Sequence, residues 1–288
     1  MKVGVIGAGA WGTALAIVSA RGGADVLLWS YDGAFKAFDG VEMPSNITVT
    51  KDMNDIATCE AWLIVTPAAF FRETLRKAKQ VYNNQPIIVC TKGAESATGD
   101  FMSEIISAEM PEVSDYGVLS GPQFAAEVAR GVLTGSTLAG TPKAVEVGKS
   151  ILNKLVINPS DDVVGAEICG VGKNAVALIC GYKSVAASGE NERAFFFTKA
   201  WNEVMTIGLA SGAKMATFLD LCGIGDLFLS ATSATSRNFA GGMAIARGEK
   251  PEGTVEGIFA LAGLIHRAQN IGIDTPVLIE MQKKMNLS

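Results

Sequence analysis

Over roughly the first 160 residues, short apolar runs alternate with amphipathic stretches. That rhythm predicts the strands of a parallel sheet separated by helices. The run Val3-Gly4-Val5-Ile6 opens the series, and 24–29, 47–49, 61–66, 86–91, 117–120 and 135–139 continue it as strands. Segments 69–80, 100–109 and 142–152 carry helical spacing between them. From about Asp161 the strand signal stops. Stretches 162–188, 193–212, 215–220, 239–247 and 255–270 read as helices, broken by glycine joints such as Cys222-Gly223-Ile224-Gly225. Asn158-Pro159-Ser160-Asp161-Asp162 reads as a turn followed by a helix N-cap. The pattern therefore predicts an α/β domain over 1–160 and an all-helical domain over 161–288, with a ligand site in the cleft between them.

The glycines after the first strand give that plan a ligand. Gly7, Gly9 and Gly12 fall in G-x-G-x-x-G spacing, and Thr13-Ala14-Leu15-Ala16-Ile17-Val18 continues as a helix. In a Rossmann-type sheet the first glycine permits the tight turn and the second admits a pyrophosphate to the backbone. The third lets helix pack on strand. A second apolar run, Ala24-Asp25-Val26-Leu27-Leu28-Trp29, supplies the βαβ context, so a dinucleotide site is expected here. At the end of that run an acid favours NAD and an arginine favours NADP. The chain offers Trp29-Ser30-Tyr31-Asp32 with no arginine, which leans to NAD; Asp32 as a solvated turn residue is the other reading.

Composition narrows the setting. Of 288 residues, 49% are hydrophobic and 18% charged, which implies extensive burial. No run reaches the roughly 18 uninterrupted apolar residues of a spanning helix, and no signal-peptide pattern is visible, so no stable membrane insertion and a cytoplasmic location are expected. Cys59, Cys90, Cys169, Cys180 and Cys222 lack C-x-x-C spacing and read as reduced thiols, with neither zinc nor disulfides suggested. A net charge of −5 argues against nucleic-acid binding while leaving room for a local cationic pocket.

Several residues could carry chemistry. Lys92, in Thr91-Lys92-Gly93, follows a strand whose carboxyl end lines the expected ligand crevice; a surface lysine is the alternative. Ser120-Gly121-Pro122-Gln123-Phe124-Ala125 is a turn from strand to helix. Lys173 and Asn174 stand inside a helix of small and apolar residues. Burial would lower the lysine's pKa and suit it to proton transfer, unless it snorkels to solvent. Asp226, after Gly223-Ile224-Gly225, could hold a lysine or cap a helix. Arg237 with Asn238 offers a donor fork for phosphate, or a solvated face. His266 is the only histidine and sits on an amphipathic helix, which leaves lysine as the natural acid and base.

In this order the motifs resemble those of the NAD(P)-dependent glycerol-3-phosphate dehydrogenases. The likeness runs from Gly7-Ala8-Gly9-Ala10-Trp11-Gly12-Thr13 through Thr91-Lys92-Gly93-Ala94-Glu95 and Ser120-Gly121-Pro122-Gln123-Phe124-Ala125-Ala126-Glu127. It continues in Gly172-Lys173-Asn174, Asn191-Glu192-Arg193-Ala194, Gly223-Ile224-Gly225-Asp226-Leu227, Ser236-Arg237-Asn238 and Val255-Glu256-Gly257. The resemblance implies reversible hydride transfer between dihydroxyacetone phosphate and sn-glycerol 3-phosphate, with NAD or NADP as cofactor, supplying glycerol phosphate for phospholipid synthesis. It implies Lys173 as general acid, flanked by Lys92 and Asp226. Lys92, Gly121, Asn174, Ser236, Arg237 and Asn238 would meet the substrate, the last two gripping its phosphate. Gly7, Gly9, Ala10, Trp11, Gly12, Tyr31, Asp32, Phe70, Lys92, Ala125, Arg237 and Glu256 would meet the cofactor. A homodimer is the assembly to test.

Two departures stand out. Gly121-Pro122-Gln123 replaces the Gly-Pro-Ser of the bacterial type, and Leu219-Asp220-Leu221-Cys222 alters the pattern before Gly-Asp. Two other functions are compatible with parts of the chain. One is a two-domain dehydrogenase acting on another hydroxy or keto acid, against which Ser236-Arg237-Asn238 speaks. The other is a nucleotide sensor that lacks an acid/base, against which Lys173, Lys92 and Asp226 speak.

Overall fold

The computed structural model describes residues 1–187 and 189–287. Ser188 and Ser288, the last positions of the expected helix 162–188 and of the expected domain 161–288, lie outside the described residues. In the first part of the chain, β1 (Lys2–Ile6), α1 (Ala10–Arg21), β2 (Asp25–Trp29), β3 (Ile47–Thr50) and α2 (Met53–Ile56) come first. They are followed by β4 (Ala61–Ile64), α3 (Ala68–Ala78), β5 (Ile87–Val89), α4 (Met102–Glu109), β6 (Tyr116–Ser120) and α5 (Ala125–Arg130). Then come β7 (Gly135–Gly140), α6 (Pro142–Ile151) and β8 (Val156–Ser160).

All eight strands form one sheet, ordered β3-β2-β1-β4-β5-β6-β7-β8. The first six follow the doubly wound order, whose ligand crevice lies at the strands' carboxyl ends. Helices cover the sheet faces, so β1, β4 and β5 are apolar without alternation: Val3, Val5, Ile6, Leu63, Ile64, Ile87, Ile88 and Val89 are all buried.

Two features differ from the sequence reading. β7 pairs antiparallel with β6, so the sheet is not wholly parallel. The expected turn at 158–162 is largely strand, because β8 pairs with β7 and aligns Pro159 with Leu138. Proline cannot donate to a ladder, and the edge position of β8 tolerates that loss. Just beyond the strand the Asp162 N–H donates to Ser160 Oγ at 3.1 Å, before α7 (Val163–Ala186) begins.

The remaining elements are helices: α8 (Glu190–Ala210), α9 (Met215–Phe218), α10 (Asp226–Thr232), α11 (Arg237–Ala246), α12 (Glu256–Asn270) and α13 (Pro276–Lys284). The sequence pattern had not marked α10 or α13. A π-type turn, Leu221–Gly225, joins α9 to α10, and Gly223 within it leaves helical geometry. By length and composition α7 could cross a membrane, but 83% of its most apolar window is buried within the protein. The span Met215–Thr232 passes the same test with 44% of its window buried, and the bent Gly223 interrupts it.

The chain clusters into two compact units, Met1–Thr91 with Met102–Val163, and Lys92–Phe101 with Val164–Ser288. The composition break had placed the division at 160/161. The helical unit therefore includes a peptide from the connection between β5 and α4. An Ala94–Phe101 bridge closes that peptide on itself. Arg267 of α12 lies 3.8 Å over the Phe101 ring and donates to Ser211 Oγ at 3.0 Å. Asn270 Nδ2 donates to the Thr98 carbonyl at 3.2 Å.

Candidate active site

The glycine turn after β1 is built from backbone. Gly7 has φ +117°, and a methyl there would lie 2.8 Å from the Val65 carbonyl oxygen. A side chain on Gly12 would collide with the Gly7 carbonyl. Gly9, the N-cap of α1, is different: a methyl there would meet no protein atom within 4 Å. Internal packing does not call for glycine at that point, whereas close approach of a ligand does. Ala10 and Trp11 open the helix, whose first turn carries no acidic side chain. Trp11 Nε1 and Thr66 Oγ1 are buried without a partner. These features fit a dinucleotide pyrophosphate at a helix N-terminus.

The other positions assigned to cofactor in this unit are scattered around the strand ends. Tyr31 and Phe70 are exposed aromatics, 81% and 59% accessible. Asp32 accepts through Oδ1 from Ser30 Oγ and from the Ala34 N–H, each at 2.9 Å. The Ala34 N–H, with the Ser30 hydroxyl, holds its carboxyl below the usual range. Ala125 is the first residue of α5. Gly121 is pressed on β7, where a methyl would lie 2.8 Å from Ser136 Cα. Gln123 Nε2 donates to Ser136 Oγ, and its Oε1 is buried without a partner.

In the helical unit three candidate residues meet. Asp226, the first residue of α10, is buried at 1% exposure. Its Oδ2 pairs with Lys92 Nζ at 2.7 Å and its Oδ1 with Lys173 Nζ at 3.1 Å. Lys173 also donates to Ser230 Oγ at 2.9 Å, and Ser230 Oγ donates to Asp226 Oδ1 at 3.2 Å. Asp226 lies at the end of the π-type turn, α7 supplies Lys173, and the annexed peptide 92–101 supplies Lys92. Burial pushes the Lys173 ammonium below its usual range; Asp226 opposes this and the Lys92 charge reinforces it. Burial also acts to raise Asp226, but the two ammonium groups outweigh it and hold the carboxyl low. Two cations thus share one buried carboxylate. That arrangement can hold a proton on Lys173 loosely and stabilise a developing oxyanion.

A second network runs beside the first. Asn238 Nδ2 donates to Asn174 Oδ1 at 2.7 Å, and Asn238 Oδ1 accepts from the Gly257 N–H at 2.8 Å. Asn174 Nδ2 faces Glu256 Oε2 at 3.5 Å. Close approach of α12 to α7 makes this possible, since a methyl on Gly257 would lie 2.6 Å from the Asn174 carbonyl. Ser236 is buried as the N-cap of α11, accepting from the Phe239 N–H at 3.4 Å. Arg237, next in the chain, is exposed. Sequence reasoning missed Ser230; its one signal is the four-residue spacing from Asp226, which places both on one helix face.

Known proteins supply an independent comparison. The model of the NAD-dependent glycerol-3-phosphate dehydrogenase N-terminus matches residues 2–146, and that of the C-terminus matches 162–286. A glycerol-3-phosphate dehydrogenase [NAD(P)+] of Parvibaculum lavamentivorans is 35% identical, over 96% of this chain and 89% of its own length. The enzyme of that name from Afipia carboxidovorans is 38% identical with the same coverage. The crystal structure of glycerol-3-phosphate dehydrogenase from Coxiella burnetii superposes with a TM-score of 0.90 at 28% identity. It covers 99% of this chain and 94% of that one.

Proposed function

The chain belongs to the NAD-dependent glycerol-3-phosphate dehydrogenase family, and on that basis we propose how its own residues carry the interconversion of dihydroxyacetone phosphate and sn-glycerol 3-phosphate. The observation that carries the reading is the single buried carboxylate of Asp226 shared by Lys92 and Lys173. When bound, a nicotinamide cofactor would supply the hydride for reduction and accept it in oxidation. In reduction, the Lys173 ammonium gives its proton to the ketone oxygen as that oxygen gains charge, and the resulting amine is reprotonated from solvent. In oxidation the neutral amine takes the hydroxyl proton. Asp226 and Ser230 hold Nζ in place, and Lys92 keeps the local potential positive while the oxyanion forms. Arg237 and Asn238 take the substrate phosphate, Asn238 being aligned by Asn174 and the Gly257 N–H. The turn at Gly7, Gly9 and Gly12 takes the pyrophosphate.

The physiological role we assign is the supply of glycerol phosphate for phospholipid synthesis. Five free, buried thiols support a reducing compartment, the cytoplasm. Light scattering tests the proposed homodimer. The function itself is tested by following reduced-cofactor absorbance with dihydroxyacetone phosphate, unphosphorylated dihydroxyacetone and a panel of 2-keto acids. We expect turnover to depend on the phosphate; faster turnover of a keto acid would replace this reading with that of a hydroxy-acid dehydrogenase.

A further inference from the structure

Lys92 reaches Asp226 from a peptide that is held by a helix remote in sequence. Residues 94–101 fold back on themselves. Ala94 and Phe101 form a bridge, the Glu95 N–H donates to the Asp100 carbonyl at 2.9 Å, and the Gly99 N–H donates to the Glu95 carbonyl at 2.8 Å. The closed loop therefore moves as one piece, and Lys92, two residues before the bridge, moves with it. One face of α12 receives it. Gly263, Arg267 and Asn270 are spaced by four and then three residues, which places them on the same side of the helix. A methyl on Gly263 would lie 3.2 Å from Ala94 Cβ. The Arg267 guanidinium lies 3.8 Å over the buried Phe101 ring, and its Nη1 donates to the Gly99 carbonyl at 3.4 Å. Asn270 Nδ2 donates to the Thr98 carbonyl at 3.2 Å. Gly99 takes φ +78°, and a methyl there would lie 3.0 Å from the Arg267 backbone nitrogen, so the loop tip is pressed on the helix.

Arg267 is tied on its other side as well, where Nε donates to Ser211 Oγ at 3.0 Å just past α8. Its planar fork thus joins ring, loop carbonyl and a second helix, a set of contacts that a lysine or methionine cannot reproduce. The same helix begins with the Gly257 N–H that aligns Asn238. What the loop carries to the site is Lys92, 12% exposed and 2.7 Å from Asp226 Oδ2. A shift of about 1 Å in such a group is enough to slow a reaction. We propose that Arg267 is a positioning residue for the reaction: through Phe101 and Gly99 it seats the 92–101 loop so that Lys92 reaches the carboxylate that Lys173 shares. This rests on the reading of Lys92, Asp226 and Lys173 as the reacting cluster.

Amine labelling read by mass spectrometry tests the seat without turnover. Lys92 should label several-fold faster in Arg267→Met than in the wild type. Lys183, 4% exposed and paired with Glu192 at 2.7 Å, should keep its wild-type rate and so report that the helical unit is folded. Asn270→Ala removes one exposed contact of the same seat and should raise Lys92 labelling by a smaller factor; it decides the matter if Arg267→Met fails to fold. Turnover then tests the route. Arg267→Met should lower kcat for dihydroxyacetone phosphate reduction by about 10- to 100-fold, and should add nothing to Lys92→Met, because both act through one ammonium. The pH at which reduction falls should also rise in Arg267→Met. Burial holds the Lys173 ammonium low, opposed by Asp226 and Glu256 and reinforced by Lys92, and withdrawal of Lys92 removes that reinforcement. Unchanged Lys92 labelling in the folded variants, or losses of kcat that add in the double variant, would overturn the proposal. A wild type that does not reduce dihydroxyacetone phosphate would instead defeat the reading of the cluster, and the labelling would still decide whether Arg267 seats Lys92.

Discussion

Helix α7 carries two lysines largely withdrawn from solvent, and they live in different electrostatic settings. Lys183 is 4% exposed, pairs with Glu192 at 2.7 Å and stacks 3.7 Å over the Phe196 ring. It has a carboxylate and an aromatic face on the following helix, and the group is satisfied. Lys173 shares its contacting carboxylate with a second ammonium, and burial drives its pKa down. Both stand in the same apolar helix, so burial alone does not distinguish a structural lysine from a reactive one. The ratio of cations to carboxylates does.

Removing each lysine sharpens that contrast. Lys173→Met is expected to lower kcat for dihydroxyacetone phosphate reduction by about 10²–10⁴-fold, with cofactor affinity unchanged in a fluorescence titration. Lost cofactor binding would make the residue structural. Asp226→Asn leaves two buried ammonium groups facing each other without their shared carboxylate. Thermal or denaturant unfolding should then show a loss of about 3–5 kcal/mol. Unchanged stability would mean that the pairing does not organise the cluster. Lys183→Met should lower stability by about 1–3 kcal/mol, because Glu192 is partly exposed and can rehydrate, while kcat per folded molecule stays at the wild-type value. A drop in kcat matching that of Lys173→Met would erase the distinction. The smallest effect is expected from Ser230→Ala, which removes one hydrogen bond to Lys173 and should reduce kcat by a few fold, about 0.5–1.5 kcal/mol. Serine-to-threonine substitution restores the hydroxyl and should recover the rate.

How much could be read beforehand follows the same division. The glycine turn was legible because its function lies in the backbone of one contiguous stretch: a strand, Gly7, Gly9, Gly12 and a helix. The helical unit was legible as a class, since the strand signal ends where the helices begin. Lys92, Lys173 and Asp226 were each visible as candidates, yet their meeting depends on the peptide 92–101 clustering with the helices, which no local pattern encodes. Strand β8 was obscured because Asn158-Pro159-Ser160 has turn composition, and only its edge place beside β7 makes it a strand. Ser230 gave almost no signal, as a serine within a helix is unremarkable until the partner one turn earlier is known to be a buried aspartate. The Asn174–Asn238 link likewise spans two helices and depends on the close packing of α12 at Gly257.

The pH dependence of turnover in both directions tests most directly whether Lys173 moves the proton. Reduction needs the ammonium, so at saturating cofactor and substrate its rate should fall as pH rises through the lowered Lys173 pKa. Oxidation needs the neutral amine and should rise across the same break, which lies below the usual lysine range because burial outweighs Asp226. The account predicts one shared break, absent from the residual activity of Lys173→Met. A break that persists unchanged in that variant would assign the proton to another group and contradict it.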